Sequence, residues 1–376
     1  MTFAYFFTRS GKKTAALASA ALLLSILAGC GSQGGGLDQL EDEQLAAQAD
    51  EAARAFFEEE EPVGLSVGIL RDGQAAFFNY GVKSEGGEAI TENTQFEIAS
   101  VSKTMAGILL GTLDADSDAP IAADAPAQLP DVDLPDYEGE QIQWWHLSAH
   151  VSGLPRLPDN FEDGQNPYAD YTADDLQYYL TEQAHLYTSP GENYLYSNLG
   201  VGLLGYAMSC AMETPYEQLL QERVWNVLGM ENTAISLTAE QEEARAMPHT
   251  RLGTPVSQWD FDVLAACGGV KSTTSDLLIY LAANMGQVSV TDETLAQGME
   301  KAQQVWFDDG TTRIGLGFLH GSAGGKEMLW HNGATGGYRS FIGFVPETGT
   351  GVAVLCNSAI DVDDVAVRIL ELLQQT

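Results

Sequence analysis

The chain has 376 residues, of which 53 are acidic and 17 are lysine or arginine, so its formal net charge is −36 at neutral pH. Such an excess of negative charge repels polyanions and excludes nucleic-acid binding. It also repels acidic small molecules at long range, unless a local cation gathers them.

The first thirty residues have the organisation of an export signal. A basic segment with Arg9, Lys12 and Lys13 precedes an apolar run from Thr14 to Leu27. The run is short for a membrane span and fits a cleaved signal. The signal ends in the sequence LAGC at Cys30, which resembles the bacterial lipobox, where the cysteine carries the lipid and becomes the first mature residue.

We therefore predict a lipoprotein signal peptide at 1–29, lipidation at Cys30 and a flexible tether at 30–36, rich in glycine. The predicted location is the cell envelope, with the exported protein anchored to a bacterial membrane by its lipid. An uncleaved anchor or a chance cysteine is the alternative. Beyond Cys30 only Cys210, Cys267 and Cys356 remain, and their number and wide spacing predict neither a disulfide framework nor a metal cluster.

The amino-terminal part of the predicted domain alternates helix and strand patterns. Residues 37–57 have helix-forming composition with almost no breakers. The segment 63–82 reads as two strands joined by Asp72-Gly73, a strong hairpin signal. An apolar run behind Ser100 predicts a helix that starts near that residue.

The middle of the chain is predicted to be helical, and strand patterns return after it. Helical segments alternate with loops that contain Pro and Gly over 113–261, and short strand candidates precede a carboxy-terminal helix over 361–376. We predict an α+β fold over 37–376, with an antiparallel sheet flanked by helices in a lobe of residues 37–112 and 262–376. An all-helical lobe of residues 113–261 lies beside it, and a cleft between lobes is a common place for a small-molecule site.

Ser100 and Lys103 form the first candidate chemical element. Positions three apart on a helix share one face, so the lysine amine can reach the serine hydroxyl. Serine is a weak nucleophile that needs such a base, and the amino end of a helix favours a developing alkoxide. An N-capping serine with a surface lysine is the alternative, but Lys103 is one of only seven lysines and is followed by apolar residues.

Two further segments carry candidate site residues. Tyr196 and Asn198 lie in YSN, between a Pro-Gly turn and a predicted helix, where a phenol can act as base and an amide can bind an amide. His331, Asn332 and Gly333 end a predicted strand before a glycine-rich turn, and such glycines allow a close backbone approach. His331 could supply a charge or a hydrogen bond. Alone, each segment also fits ordinary packing and capping.

These three elements, in this order, resemble the serine β-lactamase and DD-peptidase superfamily, particularly the branch with class C β-lactamases, D-alanyl-D-alanine carboxypeptidases and related esterases. The resemblance extends over about 62–376, through segments such as TQFEIASVSKT, SPGENYLYSNLG and HNGATGGYRSFIGF. It implies a β-lactamase/transpeptidase-like fold and a serine hydrolase that forms an acyl-enzyme, with no metal or organic cofactor. The implied substrates are a cell-wall peptide, a β-lactam or an ester.

The resemblance also implies roles for single residues. Ser100 matches the acylated nucleophile, Lys103 the lysine that activates it, and Tyr196 the shared general base. The residues that match substrate-binding positions are Asn198, His331, Asn332, Gly333 and Ala334. Within that set, Ala334 is expected to complete the oxyanion hole with the backbone N–H of Ser100.

The third element departs from the family pattern, because His331 stands where typical β-lactamases have a lysine. A lysine is cationic at neutral pH, whereas a histidine can be neutral. The departure weakens the case for a dedicated class C β-lactamase and leaves peptidase, esterase and β-lactamase readings open. Arg339 either restores a cation near the site or is a surface strand arginine.

Two alternatives remain from the rest of the chain. His146 and His150 have a spacing seen in metal-binding helices, but the glutamate of His-Glu-x-x-His is missing, and the segment resembles a structural part of the family. A non-catalytic envelope lipoprotein that binds cell-wall peptides is the alternative to an enzyme. The intact set of Ser100, Lys103 and Tyr196 favours catalysis.

Overall fold

The strands and helices are taken from a computed structural model, which describes residues 36–375. The strands are β1 Asp38–Gln39, β2 Gly64–Arg71, β3 Gln74–Gly81, β4 Phe96–Glu97, β5 Lys271–Ser272, β6 Phe307–Asp308, β7 Arg313–Ile314, β8 Leu319–Ala323, β9 Lys326–Ala334, β10 Arg339–Val345 and β11 Thr350–Cys356. The helices are α1 Glu43–Glu60, α2 Ser102–Ala115, α3 Trp144–Ser148, α4 Ala173–Glu182, α5 Asn198–Ala211, α6 Tyr216–Leu220, α7 Asn226–Leu228, α8 Ala239–Glu243, α9 Thr274–Asn284, α10 Glu293–Gln303 and α11 Asp363–Leu372.

Strands from the two ends of the described chain form one sheet of nine strands. Its order is β1-β3-β2-β11-β10-β9-β8-β7-β6, and β4 and β5 pair separately. Neighbouring strands are antiparallel, except that β1 runs parallel to β3. The predicted α+β class is therefore confirmed, with one parallel pair that the sequence did not indicate.

The β2–β3 hairpin is built as its turn residues predict. Arg71 pairs with Gln74, which leaves Asp72 and Gly73 as a two-residue turn. Both turn residues have positive φ, 50° and 80°. This is the geometry of the type I′ turn, whose twist matches that of the strands and which Asp-Gly favours.

Helices cover both faces of the sheet, so the central strands are buried on both sides. Alternate residues of β2 point to opposite faces: Val67 and Ile69 pack in the core beneath α1 and α11, whereas Leu70 packs in the core that contains α2, α5 and α9. This double burial explains why β2 has a nearly continuous apolar sequence rather than a clean alternation.

Most helices begin at the capping residues that the sequence offers. Thr172, Ser197 and Thr273 each accept a backbone N–H bond at the start of α4, α5 and α9. The first helix is the exception to the predicted boundaries, which began at residue 37. Asp42 caps α1 through the N–H of Leu45, and the residues before it instead pair with β3 as β1.

Several predictions fall outside the described residues. The signal peptide at 1–29, the lipidation site Cys30 and all of the tether 30–36 except Gly36 belong to this group. Within 36–375, no helix combines the length and the apolar character needed to cross a membrane. The described residues form one compact unit, which does not divide at residues 113 and 261. The boundaries between the two lobes therefore stay a prediction.

Candidate active site

A strained turn presents Ser100 at the entrance to α2. Ala99 has a φ of 47°, a left-handed conformation that is rare for residues other than glycine. The turn is held from both sides, because Ser102 Oγ donates to Ala99 O at 2.6 Å and Ser340 Oγ donates to Ile98 O at 2.7 Å. Strain of this kind persists only where surrounding contacts over-determine the backbone, and it is common at active sites.

Ser100, Lys103 and Tyr196 meet at the serine hydroxyl. Lys103 Nζ donates to Ser100 Oγ at 2.9 Å, and Tyr196 OH donates to the same oxygen at 2.9 Å. The Lys103 side chain is fully buried, and its amine also donates to the carbonyl of Cys267. The serine oxygen therefore has two proton-transfer partners within hydrogen-bond reach, the arrangement that an activated nucleophile requires.

Three further groups hold the ring of Tyr196. The His150 ring packs against it in a tilted arrangement, with 4.3 Å between the ring centroids, and His150 Nδ1 accepts from Ser197 N at 3.1 Å. Lys103 Nζ and Arg156 Cζ lie 5.0 and 5.1 Å from the ring centroid, within cation–π range. The phenol is thus fixed in position before a substrate binds.

Asn198 is held at the first turn of α5 with one polar atom unused. Its Nδ2 donates to Tyr168 OH at 2.8 Å, while its buried Oδ1 has no hydrogen-bond partner among the described residues. An orphaned buried acceptor is costly unless a ligand or water satisfies it. Asn198 also lines the cavity above Ser100.

His331 lies on β9, buried beside Lys103. Burial, and then the charge of Lys103, lower the pKa of His331 to about 3, so its ring is neutral at physiological pH. Its Nδ1 lies 2.6 Å from the carbonyl of Asn332, and its Nε2 has no partner among the described residues. Of the two predicted roles, charge and hydrogen bonding, the structure supports hydrogen bonding.

Asn332, the middle residue of the segment His331-Asn332-Gly333, links β9 to the start of α11. Its Nδ2 donates to the carboxylate of Asp363. Burial, and then the neighbouring Asp361, raise the pKa of Asp363 to about 6. Asp363 is therefore mostly ionised at neutral pH and is a charged member of the site.

Gly333 is where β9 approaches the strained turn before Ser100. A Cβ atom on this residue would meet Ile98 O and Ser340 Oγ well inside van der Waals contact. The neighbouring backbone cannot move away, because the same two atoms bond to each other and fix the turn. Glycine is required here for the close backbone approach that the sequence predicted.

Gly333→Ala should therefore displace β9 from the Ser100 turn. We expect a loss of about 1–3 kcal/mol in the free energy of unfolding, the scale of overpacking. We expect about a hundredfold loss in kcat/KM, the scale of a misplaced reacting group. Gly164→Ala is the matched control, since its Cβ would have no neighbour within 4 Å. Equal stability and activity of the two variants would contradict the close approach.

A cavity of about 580 Å³ opens above Ser100. One wall is aromatic and consists of Phe161, Tyr168, Tyr194, Tyr196 and Trp259. The charged side chains at the cavity are Arg156, Asp163, Arg339, Asp361 and Asp363. The volume suits a small molecule or a short peptide segment rather than a large folded partner.

The structure brings the predicted site residues together around this cavity. The predicted residues that line it are Ser100, Tyr196, Asn198, His331, Asn332, Gly333 and Ala334, and Lys103 lies buried behind Ser100. Arg339, left open by the sequence, also lines the cavity and donates to the carbonyls of Thr335 and Tyr338 at 2.9 and 2.7 Å.

Sequence reasoning missed Arg156, the ring contact of His150, the aromatic wall and the three aspartates. None of them lies in a motif with a fixed spacing, although Arg156 directly follows the segment HLSAHVSGLP, which resembles a structural part of the family. Around His146 and His150, as elsewhere among residues 36–375, no group of three or more His, Cys, Asp or Glu side chains is placed to hold a metal ion.

Comparisons with known proteins agree on one family. The family model described as Beta-lactamase matches residues 38–376. A beta-lactamase of Pseudomonas fluorescens is 28% identical over 341 residues, which cover 82% of this chain and 92% of that protein. A beta-lactamase of Escherichia coli (strain K12) is 26% identical over 336 residues, which cover 80% of this chain and 86% of that protein.

A solved structure shows the same fold. The crystal structure of a beta-lactamase/D-alanine carboxypeptidase from Pseudomonas syringae superposes with a TM-score of 0.77, and the match covers 88% of this chain and 99% of that chain. The two sequences are 22% identical, so this likeness concerns the arrangement of strands and helices. The predicted fold is confirmed.

Proposed function

The chain belongs to the beta-lactamase family, and on that premise we propose that it is a serine hydrolase that cleaves an amide or ester through an acyl-enzyme on Ser100. The favoured activity is that of a peptidoglycan D-Ala-D-Ala carboxypeptidase or a related β-lactamase. The relatives named beta-lactamase and beta-lactamase/D-alanine carboxypeptidase support this range.

One observation carries the proposal: Ser100 Oγ lies 2.9 Å from both Lys103 Nζ and Tyr196 OH. A capping serine with a surface lysine, the structural alternative, would leave the lysine exposed. Here the lysine is fully buried, and a tyrosine from a distant segment shares the same oxygen. The convergence of two proton-exchanging groups on the serine oxygen has a direct use in acyl transfer.

The geometry supports a two-step reaction. In the reactive form the Tyr196–Lys103 pair holds one proton fewer than a phenol and an ammonium together. As Ser100 Oγ attacks the carbonyl carbon, its proton passes to this pair, and the backbone N–H groups of Ser100 and Ala334 bind the oxyanion. The proton then passes to the leaving nitrogen or oxygen as its bond to the acyl carbon breaks. In the second step a water molecule gives its proton to the same pair and attacks the ester, which releases the acid and restores the serine hydroxyl.

Intact-protein mass spectrometry tests the function most directly. The protein is incubated separately with a fluorescent penicillin, a chromogenic ester and a D-Ala-D-Ala peptide. We expect a covalent adduct with at least one probe, located on the peptide that contains Ser100. Absence of an adduct and of turnover with all three probes would favour the non-catalytic alternative, and turnover of the ester alone would favour an esterase.

His331→Lys tests how a neutral histidine, in place of the lysine of typical β-lactamases, affects the choice of substrate. Because the pKa of His331 is about 3, protonation of this residue should leave no inflection in the wild-type activity profile between about pH 5 and 8. The lysine variant should raise kcat/KM for an anionic β-lactam, relative to a neutral ester, by about tenfold, the scale of one charge-assisted hydrogen bond.

His185→Lys is the control for this substitution, since it adds the same charge at an exposed position outside the cavity lining. Thermal unfolding followed by circular dichroism checks that both variants fold. An unchanged ratio in a folded His331→Lys protein would mean that His331 does not face the substrate.

The proposed location is the cell envelope, with Cys30 as the lipidated residue. Its support is the LAGC sequence after a basic and an apolar segment. Cys30→Ser should move the protein from the membrane fraction to the soluble fraction, with Cys210→Ser as a control that stays with the membrane. Retention of Cys30→Ser at the membrane, with no lipid mass on the wild-type amino terminus, would contradict the anchor.

A further inference from the structure

A buried carboxylate lies on the strand that leads into the nucleophile turn. Glu97 is on β4, three residues before Ser100, and is only 2% exposed. The residue between β4 and the strained Ala99 is Ile98, whose N–H donates to Val270 O at 3.1 Å. Glu97 takes no part in the proton transfers proposed for Ser100, so its buried charge needs another explanation.

Glu97 holds a loop that forms part of the cavity wall. Its Oε1 accepts from Trp259 N at 2.8 Å. The segment 256–261 around Trp259 is neither helix nor strand, so its backbone depends on contacts of this kind. The Trp259 side chain lines the cavity, packs against the ring of Tyr168, and has its Nε1 3.1 Å from where a Cβ on Gly336 would lie. A carboxylate on the strand before the nucleophile thus fixes the backbone of a wall residue.

The neighbours of Trp259 are held only by bonds at the surface. Ser257 Oγ donates to Gln165 at 3.3 Å, and Asp260 exchanges two bonds of 2.7 and 3.0 Å with Asn166. All of these bonds are exposed, so water competes for their donors and acceptors and their net contribution is small. The bond to Glu97 comes from the interior of the protein, and it acts on Trp259 itself.

Stability does not explain an ionised carboxylate at this position. Burial raises the pKa of Glu97 from 4.5 to about 7, although the N–H of Trp259, the hydroxyl of Thr335 and the charge of Arg245 act in the opposite direction. Because the pKa is raised on folding, the free energy of unfolding falls as the pH rises from about 4.5 to about 7. The ion pair with Arg245, at 4.0 Å, therefore does not offset the cost of burying the charge.

We propose that Glu97 is a positioning residue for the active site: its carboxylate holds the N–H of Trp259 and thereby places the Trp259 ring against the bound substrate. The inference rests on the proposed serine hydrolase function and adds a residue that governs how the substrate is held. Trp259 is on the cavity wall and not among the groups that exchange protons with Ser100. We therefore expect Glu97 to act on KM more than on kcat.

Glu97→Gln and Glu97→Leu form a matched pair that tests the proposal on the full-length protein. Both remove the charge, and with it the ion pair to Arg245, but only glutamine keeps an oxygen that can accept the N–H of Trp259. With a chromogenic ester at pH 8, we expect Glu97→Gln to keep kcat/KM within about threefold of the wild type. Glu97→Leu should lose about tenfold to a hundredfold, mainly through a higher KM, the scale of a misplaced substrate.

Glu97→Asp covers the case in which the leucine variant does not fold, as thermal unfolding would show. Aspartate keeps the charge that faces Arg245 but withdraws the oxygen from Trp259 N by one methylene. Its KM should rise as that of Glu97→Leu does. Glu242→Gln is the control, because Glu242 is the other carboxylate that pairs with Arg245, at 3.0 Å, and lies outside the cavity lining. This variant should have the wild-type KM.

The same substitutions in a Trp259→Ala background show whether the effect passes through the Trp259 ring. Without the ring there is no wall residue to misplace, so Glu97→Gln and Glu97→Leu should differ by less than about twofold. Such non-additivity is expected of residues that act through one another.

The outcomes separate this inference from the function on which it rests. If the wild type has no turnover above that of Ser100→Ala, the proposed function and the inference both fail. If turnover depends on Ser100 but Glu97→Gln loses as much as Glu97→Leu, or Glu97→Asp keeps the wild-type KM, only the inference fails, and the ion pair accounts for Glu97. It fails too if the difference between glutamine and leucine persists in the Trp259→Ala background.

Discussion

Ser100→Ala should reduce kcat/KM for any accepted amide or ester by at least about ten thousandfold, the scale seen when a serine hydrolase loses its nucleophile. Alanine keeps the volume of the turn but removes the oxygen on which Lys103 and Tyr196 converge. The fold should be unaffected, because Ser100 Oγ bonds only to those two side chains among the described residues. The measurement combines steady-state kinetics with covalent labelling by penicillin or a fluorophosphonate.

Ser236→Ala provides the comparison for this variant. Ser236 is exposed and outside the cavity lining, so its replacement should leave labelling and turnover at the wild-type level. Peptide mapping of the labelled wild type should place the adduct on Ser100. Full labelling of Ser100→Ala at another residue would show that the nucleophile has been misassigned.

Lys103→Met should separate activity from stability. Methionine has nearly the same length and removes the charge, so we expect kcat/KM to fall by about a hundred- to ten-thousandfold, the contribution of general acid–base catalysis. The free energy of unfolding should stay equal or rise. The amine is fully buried and bonds to two neutral oxygens, on Ser100 and Cys267. Burial of a charge without an ionic partner is unfavourable.

Lys271→Met is the contrasting variant. Lys271 is also buried, but it pairs in register with Glu97 on the neighbouring short strand and lies outside the cavity lining. Its removal leaves the buried Glu97 with less compensation, so stability should fall while Ser100 remains reactive. A clear loss of stability in Lys103→Met, together with retained acylation, would contradict a catalytic origin for the buried Lys103.

The sequence predicted well those features that depend on local geometry. Asp72-Gly73 fixes a hairpin because both residues tolerate positive φ. Ser100 and Lys103 meet because they are three apart at a helix start. The close approach at Gly333 also followed from the sequence, because a glycine near the end of a strand allows another backbone to come near.

Features that depend on how distant segments pack together could not be predicted from the sequence. Asp361 and Asp363 read as the polar start of a helix, and only the packing of α11 against β10 and the bond from Asn332 bring them to the cavity. Arg156 reads as a loop arginine until the ring of Tyr196 lies beside it. Likewise Asp38 and Gln39 read as helix, because a two-residue parallel strand has no periodicity to detect.

The order of the central sheet has a consequence for how the protein is made. β2, near the beginning of the domain, has β3 on one side and β11, near the end of the chain, on the other. During synthesis, one edge of β2 therefore stays unpaired until almost the whole polypeptide has been made. Contacts so distant in sequence slow folding, and an unpaired strand edge invites association with other chains. A chain truncated before Thr350 should therefore aggregate rather than fold, because β2 would lack the strand that pairs with its second edge.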